Sequence, residues 1–459
     1  MLPVGAANFD EPNLVSSSGL IPVMRLAADA GLDALADQLL TVPSDKGANA
    51  GGKVTALIAG MVAGADSIDD LALLRHGAMG KVFDRLYAPS TLGSFLREFR
   101  FGHVRQLDGV ASRFLIGLAG RSSVLPGLDG TALVDVDDSI VEVHGYAKQG
   151  AGFGYSGVRG LNVLLATVST AAAAPVIVAQ RLRKGSCSSP RGAKRLVRDA
   201  LATVRSLRPD QTTGPVLLRA DSAFYGSPTV GAAVRAGAQV SVTVRMDPKV
   251  KAAIATIADD AWTSIRYTDA VYDSESGQWI SRAEVAEVPF TAFSSRKPAE
   301  QVAGRLVVRR IPDVNRPANP DQASLFKLWR FHAFFTTSDL DTVTADRTHR
   351  GHAIIEQVNA DLKNAALAHL PSGKFSANSA WLVCAVMAFN LTRAAGSLAG
   401  GRLVKATSAT IRRTLISMPA RVASSARRLT LHLPQGWPWE DGWTALFNRI
   451  CGPPEAANS

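Results

Sequence analysis

Cysteine is scarce in this chain, with three residues among 459. Cys187, Cys384 and Cys451 lie far apart, and no two have the short spacing of a zinc-binding or redox motif. This scarcity excludes a disulfide framework and a zinc framework built on thiolates. We therefore expect isolated, reduced thiols, as in a cytoplasmic protein.

No long uninterrupted hydrophobic run predicts a membrane span. The longest apolar-looking stretch, residues 161–179, contains polar residues and Pro175, and its β-branched ends predict two buried strands. The N-terminus, Met1 to Glu11, lacks the positive start and the apolar run of a signal peptide. We therefore do not expect a membrane protein.

Acidic residues are fewer than basic ones, 39 against 50, so the net charge is +11 and the sequence pI is about 9.8. No Asp or Glu occurs between Asp361 and Glu440, although Lys and Arg recur throughout that stretch. Uncompensated positive charge costs self-repulsion unless a polyanion neutralises it. Nucleic acid is the first candidate partner and an anionic membrane surface the second, while a solvated basic tail is the plain alternative.

Apolar periodicity divides the chain into segments. Helical spacing dominates up to about residue 127, and a basic, aromatic helix end near 95–105 fits either a DNA-reading module or a helical packing domain. From Thr131, β-branched runs alternate with turns and helices. The predicted fold class is α/β, composed of a helical N-terminal domain (1–127), a mixed-sheet core (128–246 and 339–400), a β-rich insertion (247–338) and a helical, basic C-terminal region (401–459).

The most distinctive segment is a predicted helix from Thr348 to Leu367. It carries His349, His352, Glu356 and Lys363 on one face, within roughly 60° of arc. A carboxylate among imidazoles and an ammonium suits a site where a metal meets phosphate, although a solvated helix face has the same pattern. A zinc site is another alternative, but the stretch lacks the His-Glu-x-x-His spacing of zinc peptidases.

Two aspartates upstream follow strand-like runs. Asp137 follows Val134 to Val136, and Asp221 follows Val216 to Ala220. If these strands are neighbours, about 4.8 Å apart, the two carboxylates can bridge one cation, and Glu356 can supply a ligand for a second. Hard oxygen ligands without thiolates suit Mg²⁺, with Mn²⁺ as the alternative. Two such ions can activate water and stabilise the leaving oxygen of a phosphodiester.

Asp135 and Asp138 compete with Asp137 for the first of these positions. Strand alternation puts Asp135 and Asp137 on one face of the strand and Asp138 on the other. Asp138 is therefore the least favoured of the three. The choice between Asp135 and Asp137 stays open on spacing alone.

The order of the motifs resembles that of bacterial insertion-sequence transposases of the DDE type, in group 1, and most closely the insertion-sequence 1380 family. The resemblance extends from about residue 15 to about residue 395. The motifs that carry it are Ser90-Thr-Leu-Gly93, Arg105-Gln-Leu-Asp108, Asp135-Val-Asp-Asp-Ser139, Val143-His-Gly145, Gly154-Tyr-Ser-Gly-Val-Arg-Gly160, Leu182-Arg-Lys-Gly185, Arg219-Ala-Asp-Ser222, His349…His352…Glu356…Lys363, Leu370-Pro-Ser-Gly373 and Asn390-Leu-Thr-Arg393.

The resemblance implies an RNase H-like core with a β-rich insertion between the second and third catalytic carboxylates. In the wider group the last helix has Tyr and Arg where this chain has His349 and His352. Matched residue by residue, the catalytic and metal-binding set, which would hold two Mg²⁺ ions, is Asp137, Asp221 and Glu356.

The resemblance also implies a function. The predicted protein is a DDE transposase that binds terminal inverted repeats as a homodimer, cuts the strand and joins the freed 3′-hydroxyl to target DNA. A metal-dependent nuclease or resolvase, and a catalytically silent DNA-binding protein, are the alternatives. Related transposases stack an insertion Trp on a flipped base, and the candidates here are Trp262, Trp279 and Trp329. The predicted DNA contacts are Arg219, His349, Arg350, His352, Lys363 and Arg393, with a second patch of Arg181, Arg183, Lys184, Arg191, Lys194, Arg195 and Arg198.

Overall fold

The computed structural model describes residues 5–43, 45–83, 85–209, 212–273, 278–312, 329–425 and 428–452, without the side chains of 267–282 and 312. The N-terminal part is helical, as the apolar periodicity predicts. Gly31, whose φ is +84°, turns the chain between the first two helices. The elements of this part are β1 (Leu14–Val15), α1 (Leu20–Asp29), α2 (Leu32–Leu39), α3 (Ala50–Ala63), α4 (Met79–Val82), α5 (Pro89–Arg97) and α6 (Phe101–Arg121).

A mixed sheet forms the centre of the molecule. Its first elements are β2 (Ala132–Glu142), β3 (Gly152–Phe153), β4 (Arg159–Ser169), β5 (Val176–Lys184), α7 (Ala193–Leu207), β6 (Val216–Ala220), α8 (Ser227–Arg235) and β7 (Gln239–Thr243). The strands lie in the order β5-β4-β2-β6-β7. Strand β4 is antiparallel to β2 and β5, whereas β6 is parallel to β2 and β7. This arrangement confirms the predicted α/β class, and the apolar stretch at 161–179 forms the two predicted strands.

The predicted β-rich segment continues the same sheet. Its elements are α9 (Pro248–Ile254), β8 (Thr263–Asp273), β9 (Gln278–Ala292), β10 (Val302–Pro312) and β11 (Trp329–Thr336). Strand β11 pairs antiparallel with β7, and the order then runs β11-β10-β9-β8 away from the core. This β-rich segment is therefore joined to β7 through a hydrogen-bonded strand edge.

The C-terminal part contains helices and one small sheet. Its elements are α10 (Thr342–Arg350), α11 (Ile354–Lys363), α12 (Phe375–Ala399), α13 (Ser408–Ile411), β12 (Ala420–Ser425), β13 (Arg428–His432) and α14 (Glu440–Cys451). Strand β12 pairs with both β1 and β13. The tail that was predicted to be helical therefore also contains strands, because buried Ala420 and Val422 alternate with exposed Arg421 and this period of two favours a strand.

Helix α12 is the apolar centre of the helical layer. It packs against α3, α6, β5 and α14, and it is buried along almost all of its length. By length and composition it is the one helix among the described residues that could cross a membrane. However, 89% of the most apolar stretch of this helix is buried inside the protein, which is the pattern of a core helix.

Asn390 of α12 ties this helix to the sheet. Its side-chain oxygen accepts from the backbone amide of Ile177 at 2.9 Å, and its side-chain nitrogen donates to the carbonyl of the same residue at 2.8 Å. All of these groups are buried, so neither backbone group of Ile177 has access to water as a substitute partner.

We expect Asn390→Ala to lower the free energy of unfolding by about 2–4 kcal/mol, because two buried backbone groups lose their partners together. Urea denaturation measures this loss. The matched control is Asn448→Ala on the exposed face of α14, which should change stability by less than about 0.5 kcal/mol. Equal effects of the two substitutions would contradict the role of Asn390.

Candidate active site

Two of the predicted carboxylates lie at corresponding positions of neighbouring strands. Asp137 lies within β2, and Asp221 directly follows β6. The last paired residues of these parallel strands are Val136 and Ala220, so Asp137 and Asp221 come next on each strand. The two strands are neighbours, which is the condition for their carboxylates to bridge one cation. One detail differs, since β2 continues to Glu142 and Asp137 does not end its strand.

Both carboxyl groups have raised pKa values. Burial raises the pKa of Asp137 to about 6, and the nearby carboxylates of Asp138 and Asp221 add to this effect. Burial is also the largest cause of the raised pKa of Asp221, whose side chain accepts a hydrogen bond from the backbone amide of Ala223 at 3.0 Å. Adjacent carboxylates with raised pKa values are typical of catalytic and metal sites.

Helix α11 presents polar side chains to this pair. Asn359 Nδ2 donates to Asp137 Oδ2 at 2.9 Å. Burial lowers the pKa of Lys363, and the nearby Asp137 opposes that effect. Asn359 was not predicted, although it lies on one helix face with Glu356 and Lys363, within roughly 60° of arc. Glu356, in the first turn of α11, is exposed on that same stripe.

The helix predicted from Thr348 to Leu367 is interrupted. A 3₁₀ turn at Gly351–Ala353 separates α10 from α11. Arg219 Nη1 donates to the carbonyl oxygen of Thr348 at 2.6 Å, the oxygen that a continuous α-helix would pair with the amide four residues later. A Cβ at Gly351 would lie 2.9 Å from that nitrogen, so glycine permits the approach of Arg219. The four predicted side chains therefore lie on α10, the 3₁₀ turn and α11 and not on one continuous helix.

A buried ion pair lies beside the candidate carboxylates. Arg219 Nε and Nη2 donate to the two carboxylate oxygens of Asp135, each at 2.7 Å, and Asp135 is 0% exposed. His352 Nδ1 lies 3.0 Å from Asp135 Oδ1. Because both oxygens of Asp135 are already bonded, this geometry favours Asp137 over Asp135 as a metal ligand.

His349, a predicted phosphate contact, lies inside the protein. Its Nδ1 is 2.8 Å from Ser241 Oγ and its Nε2 is 3.0 Å from Thr243 Oγ1. The ring stacks on Phe334 with 4.0 Å between centroids. Burial lowers the pKa of His349 to about 3, and the nearby His352 adds to the effect, so the imidazole is neutral at pH 7. These contacts support a packing role for His349.

The predicted basic residues form a buried group and an exposed group. Arg183 and Arg393 are each 8% exposed; Arg183 donates to Asp138 at 2.7 Å, and Arg393 donates to a backbone carbonyl. Arg350 pairs with the carboxylate one turn earlier in α10, at 2.9 Å. The arginines paired inside the protein are Arg183, Arg219 and Arg393, whereas the half-buried Arg181 pairs with Asp199 at the surface of α7. The exposed basic residues near the start of α7 are Lys184, Arg191, Lys194, Arg195 and Arg198.

The tryptophans of the insertion are engaged with an arginine. The guanidinium of Arg310 lies between Trp262 and Trp329, at 4.2 and 4.4 Å from their ring centroids. The side chain of Trp279 lies outside the described residues. A base-stacking role for Trp262 or Trp329 would therefore compete with an existing cation–π contact.

The site has hard oxygen donors without a preformed metal cage. Among the residues that the structure describes, no three His, Cys, Asp or Glu side chains form a metal-binding cluster. Asp137 and Asp221 offer carboxylate oxygens from adjacent strands, which suit Mg²⁺ or Mn²⁺. Glu356 would have to turn inward to join them. The residues present thus fit a divalent ion at the aspartate pair, with further ligands from Glu356, water or a substrate phosphate.

Comparison with known proteins shows the family of this chain. Residues 6–452 match a family model described as transposase DDE domain group 1. The match includes the helical parts on both sides of the sheet as well as the sheet itself. No curated protein matches the chain.

We expect Arg219→Met to lower the free energy of unfolding by about 3–5 kcal/mol, because it leaves the buried Asp135 without its main partner. The double substitution Asp135→Leu with Arg219→Met should recover part of this loss, since no buried charge then remains. Urea denaturation of both variants tests this. Arg235→Met on the exposed side of α8 is the control, and an equal effect there would refute the importance of the pair.

The ionisation of Asp137 should lower the free energy of unfolding as the pH rises. Its folded-state pKa of about 6 exceeds the ordinary value of 3.8, so the native state holds the proton more tightly. The resulting stabilisation is complete below about pH 4 and is lost between about pH 4 and 6. In EDTA, Asp137→Asn should therefore be more stable than the wild type by roughly 1–2 kcal/mol at pH 7 and equal to it at about pH 4.

The control for this pH dependence is Asp259→Asn, since Asp259 is exposed and far along the chain from the site. Its stability difference from the wild type should be the same at both pH values. A pH-independent effect of Asp137→Asn would contradict the raised pKa.

Proposed function

The chain belongs to the DDE transposases of group 1, and on that premise we propose that it cuts and joins DNA at Asp137, Asp221 and Glu356. Its substrates would be the terminal inverted repeats of its own element and then target DNA. The observation that carries the proposal is the placement of Asp137 and Asp221 directly after the paired residues of the parallel strands β2 and β6. Asn359 of α11 is hydrogen-bonded to Asp137. The closer relation to the insertion-sequence 1380 family stays a prediction from the motifs.

The strand order supports an RNase H-like core for this enzyme. Strands β5, β4 and β2 are antiparallel neighbours, and β6 and β7 then follow parallel to β2. The segment β8–β11 lies between Asp221 and Glu356 in the chain, which is the position that the resemblance implies for the insertion.

Asp137 and Asp221 would hold a divalent ion, and Glu356 would complete a second position. Mg²⁺ suits these oxygen donors, and Mn²⁺ is the alternative. When bound, two such ions lower the pKa of the attacking water and stabilise the leaving oxygen. The raised pKa values of the two aspartates indicate that their negative charges are poorly compensated within the protein. A divalent cation would relieve that cost.

The residues around the pair would position the phosphate. His352 is held by Asp135 through Nδ1, so Nε2 is its nitrogen that could donate to a phosphate oxygen. Lys363, near Asp137 at the end of α11, would add a positive charge on the same side. Both groups would stabilise the charge that develops as the phosphodiester is attacked in line.

The exposed basic residues of α7 would contact the DNA backbone away from the chemistry. Arg191, Lys194, Arg195 and Arg198 lie at the start of that helix, and Lys184 ends the neighbouring β5. Positive charges that track a duplex supply affinity without reading sequence. Two transposon ends must be joined in one assembly, so a homodimer is part of this proposal.

A catalytically silent DNA-binding protein is the second candidate. The observation in its favour is that Glu356 is exposed and does not meet the aspartate pair within the described residues. Such a protein would keep the basic surfaces and the family fold while losing the metal chemistry.

We expect Glu356→Gln to reduce strand cleavage and joining by about a thousandfold or more, because a neutral amide is a poor ligand for a hard cation. Binding of terminal-repeat DNA should stay within about twofold of the wild type, since Glu356 is not part of the basic surface. The measurement is a strand-transfer assay with Mg²⁺, and Glu300→Gln on the insertion is the control.

Different outcomes separate the candidate functions. Joined products with the wild type and none with Glu356→Gln would establish the proposed transposase. Cleavage without joining by the wild type would favour the nuclease. Binding without either reaction, by both proteins, would favour the silent DNA-binding protein.

A further inference from the structure

Two large aromatic side chains project into solvent beside the candidate active site. Phe153 is 66% exposed and Tyr155 is 110% exposed, and both belong to the hairpin formed by β3 and β4. Exposed rings of this size, close together, are unfavourable in water and often mark a binding surface. Neither residue has a role in the catalytic proposal above.

These rings border a groove of about 910 Å³. Its other walls come from the end of β2, the β5–α7 loop and the last turn of α11. At its inner end are Lys363, which interacts with Asp137, and Asp138, whose carboxylate lies near enough to Asp137 and Asp221 to raise the pKa of both. The groove therefore lies beside the candidate catalytic carboxylates.

The hairpin is firmly placed. Arg159 donates to the carbonyls of Val143 and Gly145, at 3.3 and 2.7 Å, and so holds the loop that precedes the hairpin. A Cβ at Gly154 would lie 2.6 Å from the carbonyl oxygen of Gly185, so this glycine permits the hairpin to lie directly on the β5–α7 loop. The two rings are thus carried by a supported platform, which lowers the entropy cost of binding.

The chemistry of the groove indicates its occupant. Its aromatic wall faces hydroxyl groups of the β5–α7 loop, among them Ser186 and Ser188, and Lys363 supplies a cation at the inner end. The acid Asp138 is neutralised by Arg183 at 2.7 Å, whereas Glu142 lies at the exposed rim. Aromatic faces with hydroxyl and ammonium donors match a strand of nucleotides, whose bases stack and whose phosphates accept hydrogen bonds.

We propose that this groove binds unpaired nucleotides of the DNA strand next to the phosphate that is cut, with Phe153 and Tyr155 stacking on the bases. The inference rests on the proposed function, because the strand reaches the groove from the site at Asp137. Stacking on these rings would be tolerant of sequence, since every base has an aromatic face. The free energy needed to unpair the bases at the end of the duplex would then be offset by their stacking on the protein.

The test compares the affinity for two DNAs in EDTA, where no cutting occurs. Both carry the terminal repeat that borders the gene; one ends blunt and the other ends in a short single-stranded extension. We expect the wild type to bind the extended DNA about tenfold more tightly or better. The double variant Phe153→Ala with Tyr155→Ala should lose this preference and bind blunt DNA as the wild type does.

Two controls make the result specific. Tyr155→Phe keeps the ring and should keep the preference, and Phe9→Ala removes an equally exposed ring elsewhere and should also keep it. Equal affinity of the wild type for both DNAs, or an unchanged preference in the double variant, would overturn the inference and leave the proposed function standing. No binding of either DNA by the wild type would instead count against the proposed function, and the inference would fall with it.

Discussion

The bidentate ion pair between Arg219 and Asp135 is the interaction on which the candidate site depends. The pair joins β6 to β2. Arg219 also donates through Nη1 to the carbonyl oxygen of Thr348 near the end of α10, and Asp135 also bonds to His352. A buried charge is tolerated only when its partners are complete and well placed. The start of α11, and with it the position of Glu356, therefore follows from one interaction in the core.

Strand β2 connects the chemistry to the surface that would guide DNA toward it. Its alternation turns Asp135 toward His352 of the 3₁₀ turn and Asp137 toward Asn359 of α11, while Asp138 turns toward Arg183 of β5. Its last residues then form one wall of the groove beside the β3–β4 hairpin. Strand β2 thus carries one member of the ion pair, a candidate metal ligand and one wall of the groove. It can do so because successive strand residues alternate between two faces.

Sequence patterns predicted the elements better than they predicted the roles of individual side chains. The β-branched runs that form β4 and β5 were recognisable because the period of a strand is local. The basic residues Arg183, Arg219 and Arg393 were assigned to DNA, yet each is paired inside the protein. Positive charge in a sequence does not reveal whether a carboxylate from a distant segment will meet it.

The sequence by itself determined the α/β class, the two strands that carry Asp137 and Asp221, and the family to which their motifs belong, because these depend on local periodicity and fixed order. Only the tertiary structure decided that both carboxylate oxygens of Asp135 are bonded to Arg219 and that the helix before Glu356 is interrupted at Gly351. Those features depend on contacts between segments more than eighty residues apart, such as the 84 that separate Asp135 from Arg219. No local pattern encodes such a contact, since it exists only once β2 and β6 have paired.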